Sequence, residues 1–284
     1  MGGDGALGGD GALSSSGEAH PGRTPALPPL LEARAAPPGG TVLGRACRLA
    51  ASGAAEAGTL LYRHGADRWS VALVLEPEVA APRAAAMLPL AQMAVIEGLA
   101  ILAPSGTEVR ARWTGDVLVN DAACGRVTGA MAARPDGTGA ADGTGTARSV
   151  GDGAGDDVPD WLVVAVSLDL TARGEPGETP DRSALHEEIG PVDPVALTET
   201  VARHWLLWLN RWETEGLPPL ARAWTQVAAD LGGAIETGAM IETGSTIEGG
   251  ARGRFLGLDD EGGALIATAA GTTALPLLSL WSRA

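Results

Sequence analysis

The residues best equipped for chemistry lie in one stretch: Arg112-Trp113-Thr114-Gly115-Asp116-Val117-Leu118-Val119, then Cys124-Gly125-Arg126-Val127-Thr128-Gly129-Ala130-Met131. Two alternating runs rich in β-branched residues flank Asn120-Asp121-Ala122-Ala123, the pattern of a strand, a tight turn and a returning strand. A hairpin that sets two arginines, an aspartate and a tryptophan beside apolar residues has the make-up of a ligand site. Guanidinium groups are permanently charged and bind carboxylates or phosphates through a planar fork, so Arg112 and Arg126 are candidate anion contacts. Asp116 is placed to position a ligand or metal, and Trp113 to wall the pocket. All twenty basic residues of the chain are arginine. No lysine is available as nucleophile or phosphate ligand.

This hairpin resembles the segment of biotin protein ligases and lipoate ligases that runs Lys-Trp-Pro-Asn-Asp, a short apolar run, a turn, then Lys-apolar-small-Gly. Trp113, Asp116 and Gly129 match that pattern. Arg112 stands for the first Lys, Thr114 for Pro, Gly115 for Asn and Arg126 for the catalytic Lys. Three further segments fall in the order of that superfamily: 161–170 as its central strand, a Trp-rich helix around 194–214, and 254–280 as its small C-terminal barrel. The likeness spans roughly residues 55–284 and is strongest to a bacterial subgroup of ligase-like proteins with an uncharacterised C-terminal domain.

The resemblance implies an α+β fold, a class II synthetase-like mixed sheet with helices, followed by a small SH3-like β module. It also implies a reaction. ATP, with Mg, would activate a small carboxylic acid (biotin, lipoate or octanoate) for transfer to a lysine of a biotinyl or lipoyl carrier domain, with Arg126 in the catalytic position. Joining a carboxylate to ATP brings two anions together, so fixed cations and backbone donors are needed where charge develops. The family draws them from a loop Gly-Arg-Gly-Arg-x-Gly-Arg-x-Trp. The corresponding residues here are Arg63-His64-Gly65-Ala66-Asp67-Arg68-Trp69, which makes Arg68 and Trp69 substrate-binding candidates and sets Asp67 where an adenylate wants a cation. Three readings follow: an ATP-dependent ligase, a relative that binds an acyl group or carrier domain without adenylation, and an ATP-independent acyltransferase.

The surrounding elements must hold this hairpin. Residues 58–62 and 68–75 read as strands, and 82–102 as a mostly buried helix with Glu97 outward and Pro89 marking a kink or the true start. The run 161–170 is apolar on both faces, as in a strand covered on both sides; Ser167 and Asp169 either border the ligand pocket or mark its end. Residues 194–213 form a second helix, capped by Asp193, with Trp205, Trp208 and Trp212 as its packing stripe and His204 packed beside them. A shorter helix with Trp224 follows at 219–231. The repeat of Ile-Glu at 235, 241 and 247 reads as a hairpin or loop, and 254–258, 264–267 and 272–280 as strands.

Composition bounds the rest. With 284 residues, 45% of them hydrophobic, the chain is long enough for one large domain and a small one. Residues 1–40, with Gly-Gly-Asp-Gly-Ala-Leu twice and a Pro-rich run, read as a disordered tail, 41–231 as the ligase-like domain with a flexible insert at 134–157, and 232–284 as the small β domain. A net charge of -15 argues against nucleic acid or anionic membrane as partner. The partners expected are a small-molecule acid and a carrier domain. No apolar run reads as a membrane span and no leader is evident, so a cytoplasmic location is expected. Cys47 and Cys124 are expected to be plain thiols. The set His64, Asp67 and Ser70 is supported as a triad only by adjacency, and His186-Glu187-Glu188 as a metal site by no second ligand group.

Overall fold

The computed structural model describes residues 23–132, 158–172, 181–236 and 252–283. The run 161–170 becomes β7 (Leu162–Asp169), and as its apolar faces require, it lies inside the main sheet. Its neighbours are β3 (Arg68–Leu75) and β6 (Ala122–Met131), both antiparallel to it. Outward from β3 come β2 (Thr59–His64) and β1 (Glu32–Ala35); outward from β6 come β5 (Asp116–Val119) and β4 (Val109–Ala111). Four later strands, β8 (Ala234–Glu236), β9 (Arg252–Leu258), β10 (Ala264–Thr268) and β11 (Gly271–Leu275), form a second, antiparallel sheet. The last strand, β12 (Trp281–Arg283), returns to the main sheet and runs parallel to the end of β6. This is the expected α+β architecture, with a small C-terminal β sheet.

Each face of the main sheet has its own cover. Helix α1 (Val42–Ala51) packs Val42, Ala46 and Cys47 on Leu61, Ala72, Val74, Ala130, Val163 and Ala165. The other face carries the short α2 (Ala81–Ala84), then α3 (Met87–Leu102), α5 (Pro194–Glu215), α6 (Leu217–Gln226) and the second sheet in one continuous core. Trp205, Trp208 and Trp212 are buried in that core as expected. Trp224 meets Phe255 of β9 edge to face at 6.1 Å, so the second sheet shares the main core. Asp193 caps α5 by accepting from the Val195 amide at 2.9 Å.

Several expectations need correction. Residues 32–35, placed in a disordered tail, form an edge strand parallel to β2, and 42–51 form a helix whose N-cap Thr41 accepts from the Gly44 amide. Short amphipathic pieces acquire this order from the sheet they cover, which composition alone does not show. Residues 112–119 are not one strand: 112–115 turn between β4 and β5. The 272–280 strand ends at Leu275 and gives way to a 3₁₀ turn at Leu277–Leu280 before β12. Glu97 does not simply face solvent, because it accepts from His204 Nδ1 at 2.8 Å and Trp208 Nε1 at 3.0 Å. The run Ala81–Leu102 is long and apolar enough to cross a membrane by composition, but 78% of its most apolar window is buried in the protein. Pro89 sits in the first turn of α3, where its missing N–H costs nothing. Residues 1–22, the insert at 134–157 and most of the Ile-Glu repeat lie outside the described residues, as does most of the loop before α4 (Leu185–Glu188).

Candidate functional site

In neighbouring strands, residues directly opposite each other point to the same face. The register therefore lines up Arg63 on β2, Ser70 on β3, Ser167 on β7, Arg126 on β6 and Asp116 on β5 in one row. Ser70 and Ala72 share a face, as do Ser167 and Ala165, so this row lies on the face covered by α1. Two residues further along, on that same face, Arg68 stands opposite Asp169. The apolar part of the face is covered; its end, built of Ser, Arg and Asp, is the polar floor of the candidate site.

The floor is tightly bonded. Arg126 donates from Nε to Asp116 Oδ1 at 2.8 Å, with Nη2 2.7 Å from the same oxygen, and Thr114 Oγ1 bonds the other Asp116 oxygen at 3.1 Å. Arg68 donates from Nε and Nη2 to Asp169 Oδ1 at 2.9 and 2.8 Å, with Arg182 at 3.7 Å on the other oxygen. Between these ion pairs, the hydroxyls of Ser70 and Ser167 are 3.0 Å apart.

The connection between β1 and β2 brings α1 to this floor. Because β1 and β2 are parallel, α1 runs antiparallel to both and starts at the end where β2 finishes. Arg63 fixes that start, donating to the carbonyls of Pro37, Gly39 and Gly40 just ahead of the helix. The amides of Val42 and Leu43 in the first turn have no intrahelical acceptor, and the helix dipole is positive there. The Nε atoms of Arg45 and Arg63 are buried and have no hydrogen-bond partner among the described residues. The arrangement offers hydroxyls, guanidinium edges and a helix N-terminus, which suits a small polar or singly anionic ligand.

The expected site residues divide. Arg126, Asp116 and Arg68 come together on the floor. Trp69 lies on the opposite face, buried, and donates from Nε1 to Thr198 Oγ1 at 2.9 Å and to the Pro194 carbonyl at 3.1 Å. Arg112 turns instead to Asp230, with Nε 3.2 Å from Oδ2, and so does not converge with Arg126. Trp113 is buried against the second sheet and donates to the Gly262 carbonyl at 3.2 Å, so it walls the core rather than the floor. Gly129 also faces the core, beneath the Trp281 ring. Trp69 and Gly129 face the core by the alternation of β3 and β6, whereas for Arg112 and Trp113 the reason is shared: 112–115 form a turn, not strand. Gly115 there has φ +102°, and a Cβ on it would strike the Val127 carbonyl. Buried Gln92 on α3 locks this turn by donating to the carbonyls of Arg112 and Asp116 while its own oxygen accepts from Trp224.

The set of His64, Asp67 and Ser70 cannot act as a triad, because His64 stands opposite Trp69 on the core face and bonds Thr198 Oγ1 at 2.8 Å, while Ser70 faces α1. Burial lowers the pKa of His64 from its ordinary 6.5. Among the described residues no group of three His, Cys, Asp or Glu is placed to hold a metal. Both cysteines are free and buried, and burial pushes the thiols up to about 11 for Cys47 and about 12 for Cys124. Arg45, Arg182 and the α1 N-terminus were not singled out as site groups by the sequence; Ser70 was named only in the His64–Asp67–Ser70 set, and Arg63 only as part of the segment 63–69. The alternation of β3 and β7, polar toward one end, is the signal that finds Ser70 and Ser167.

Residues 27–226 match the model of the biotin/lipoate A/B protein ligase family. A biotin–[acetyl-CoA-carboxylase] ligase of Paracoccus denitrificans is 29% identical over 218 residues, covering 74% of this chain and 78% of its own. A biotin protein ligase-like protein of unknown function from Silicibacter sp. TM1040 superposes with a TM-score of 0.75 at 34% identity, covering 91% of this chain and 99% of that one. The biotin protein ligase of Aquifex aeolicus, solved with biotin and ATP, shares the fold at a TM-score of 0.57 and 18% identity, covering 87% and 94%. Sequence and fold agree: the chain is a member of the biotin/lipoate A/B protein ligase family.

Proposed function

We propose that this protein binds a small carboxylic acid or acyl group, of the biotin, lipoate or octanoate kind, at the polar end of the α1 face, and that it does so without adenylating it. The observation that supports this reading is the closure of Arg126 on Asp116. The guanidinium at the position of the family's catalytic lysine has its Nε–Nη2 edge on the chain's own carboxylate. Nor do the neighbouring residues fit a nucleotide. The link between β2 and β3 is a three-residue turn closed by the Gly65 amide on the Arg68 carbonyl, and it carries Asp67 in place of a cation-rich loop. In this reading Ser70, Ser167 and the other edge of Arg126 hydrogen-bond the ligand, and the first turn of α1 supplies amides for its carboxylate. A biotinyl or lipoyl carrier domain is the natural macromolecular partner of such a site.

The alternative is ATP-dependent activation of the acid, with Mg, and transfer to a carrier lysine. It is favoured by the family and by the placement of Arg126 on the floor at the catalytic lysine's position.

Calorimetric titration with ATP-Mg, biotin, lipoate and octanoate separately, repeated with Arg126→Ala, decides between them. Binding of an acid that is unchanged by ATP supports the proposal. ATP binding that strengthens an acid's binding and is lost in Arg126→Ala would replace it with the ligase reading. Silence from every acid would remove both.

A further inference from the structure

The two arginines of the floor are engaged in the same way. Arg126 turns its Nε–Nη2 edge to one oxygen of Asp116, and Arg68 turns the same edge to one oxygen of Asp169. That edge is one a guanidinium uses to grip a phosphate or carboxylate in forked geometry. Both aspartates are held from a second side, Asp116 by Thr114 Oγ1 and Asp169 by Arg182. Their side chains are also the more buried partners, each 16% exposed against 35% for Arg126 and 40% for Arg68. The carboxylates are fixed and the guanidiniums close over them.

We infer that Asp116 and Asp169 act as built-in substitutes for a ligand's phosphate, filling the anion seats of Arg126 and Arg68 and making the floor select against phosphorylated ligands. The inference deepens the acid-binding reading and rests on it. A pyrophosphate brought to the floor meets two carboxylates in contact with the very cations it would use, and the like-charge repulsion cancels much of the attraction. An aspartate changed to asparagine keeps its shape and an acceptor oxygen but leaves its arginine with uncompensated charge. The seat is then open to an outside anion.

The test titrates the full chain with sodium pyrophosphate and, separately, with octanoate, using wild type, D116N, D169N and D116N/R126A, with circular dichroism to confirm folding. Wild type is expected to show no pyrophosphate binding. D116N should bind pyrophosphate at least about tenfold more tightly, equivalent to about 1.4 kcal/mol, and the gain should vanish in D116N/R126A. D169N supplies a second, independent instance through Arg68 if D116N does not fold. Octanoate binding by wild type with no pyrophosphate gain in either asparagine variant overturns the inference and leaves the acid-binding reading standing. A pyrophosphate gain with no octanoate binding by any form supports the role of the aspartates and removes the acid-binding reading.

Discussion

Gly129 is the point at which a ligand-site glycine and a packing glycine predict different outcomes. The structure places it directly opposite Trp281 in the parallel β6–β12 pair, and a Cβ added to it would lie 2.5 Å from two atoms of the indole ring and 2.8 Å from a third. The ring has little room to slide. It is 8% exposed, its Nε1 donates to the Ala85 carbonyl at 3.2 Å, and its backbone is fixed in the ladder. Overpacking of a well-filled site costs about 1–3 kcal/mol. Displacing the indole from Ala85 adds about 1 kcal/mol for a lost hydrogen bond. Gly129→Ala should therefore destabilise by about 2–4 kcal/mol and lower Tm by roughly 2–4 °C for each of those. Urea titration and thermal melting measure this, and Trp281→Ala in the same chain should recover most of the Gly129→Ala loss through a favourable coupling. A Gly129→Ala protein with wild-type Tm and lost acid binding would refute the packing argument and return Gly129 to the ligand site.

Three other outcomes are open to direct measurement. Thr198→Val removes the hydroxyl that accepts from Trp69 Nε1 and bonds His64 Nε2 in the core; urea unfolding should show a loss of about 1–3 kcal/mol, since buried polar groups lose a partner. His64 has its pKa lowered by burial, with Asp193 pulling weakly the other way. The unfolded chain therefore binds more protons than the folded one below pH 6.5, so stability is full above that value and falls on acidification through it. The urea midpoint should drop between pH 7 and roughly pH 5.5, and less so in His64→Gln; an equal drop in both would exclude His64 as the cause. Finally, with burial holding both thiols protonated at about 11 and about 12, iodoacetamide at neutral pH should modify neither Cys47 nor Cys124 in the folded protein and both after unfolding.

The parts of the fold that repeat a pattern were legible in the chain. The two-sided apolar run of β7, the alternation of β3 and the Trp205, Trp208, Trp212 stripe each state their own burial. The site was harder to read because register decides it. A two-residue turn at Asn120 and Asp121, both with positive φ, would place Asp116 opposite Gly125 if the ladder were regular. A bulge between Val117 and Leu118 shifts the pairing by one residue and brings Asp116 opposite Arg126. No residue type marks that shift. Arg112 and Trp113 were misplaced for a related reason, since the turn at Gly115 sends them to Asp230 and Gly262, partners more than a hundred residues later in the chain.

The absence of lysine and the pairing of the floor arginines are connected. A lysine on a half-buried sheet can lower its pKa and lose its charge when no anion is near, and its flexible stem can carry the ammonium to a ligand. Arginine does neither, because its guanidinium remains charged at every ordinary pH. Arg126, 35% exposed on β6, has its counter-ion in Asp116 on the adjoining strand. The bond that makes the arginine tolerable in the unliganded fold is also the bond a phosphate would have to break. The lysine-free composition puts an arginine in β6, and the inferred selection against nucleotide follows from its pairing with Asp116.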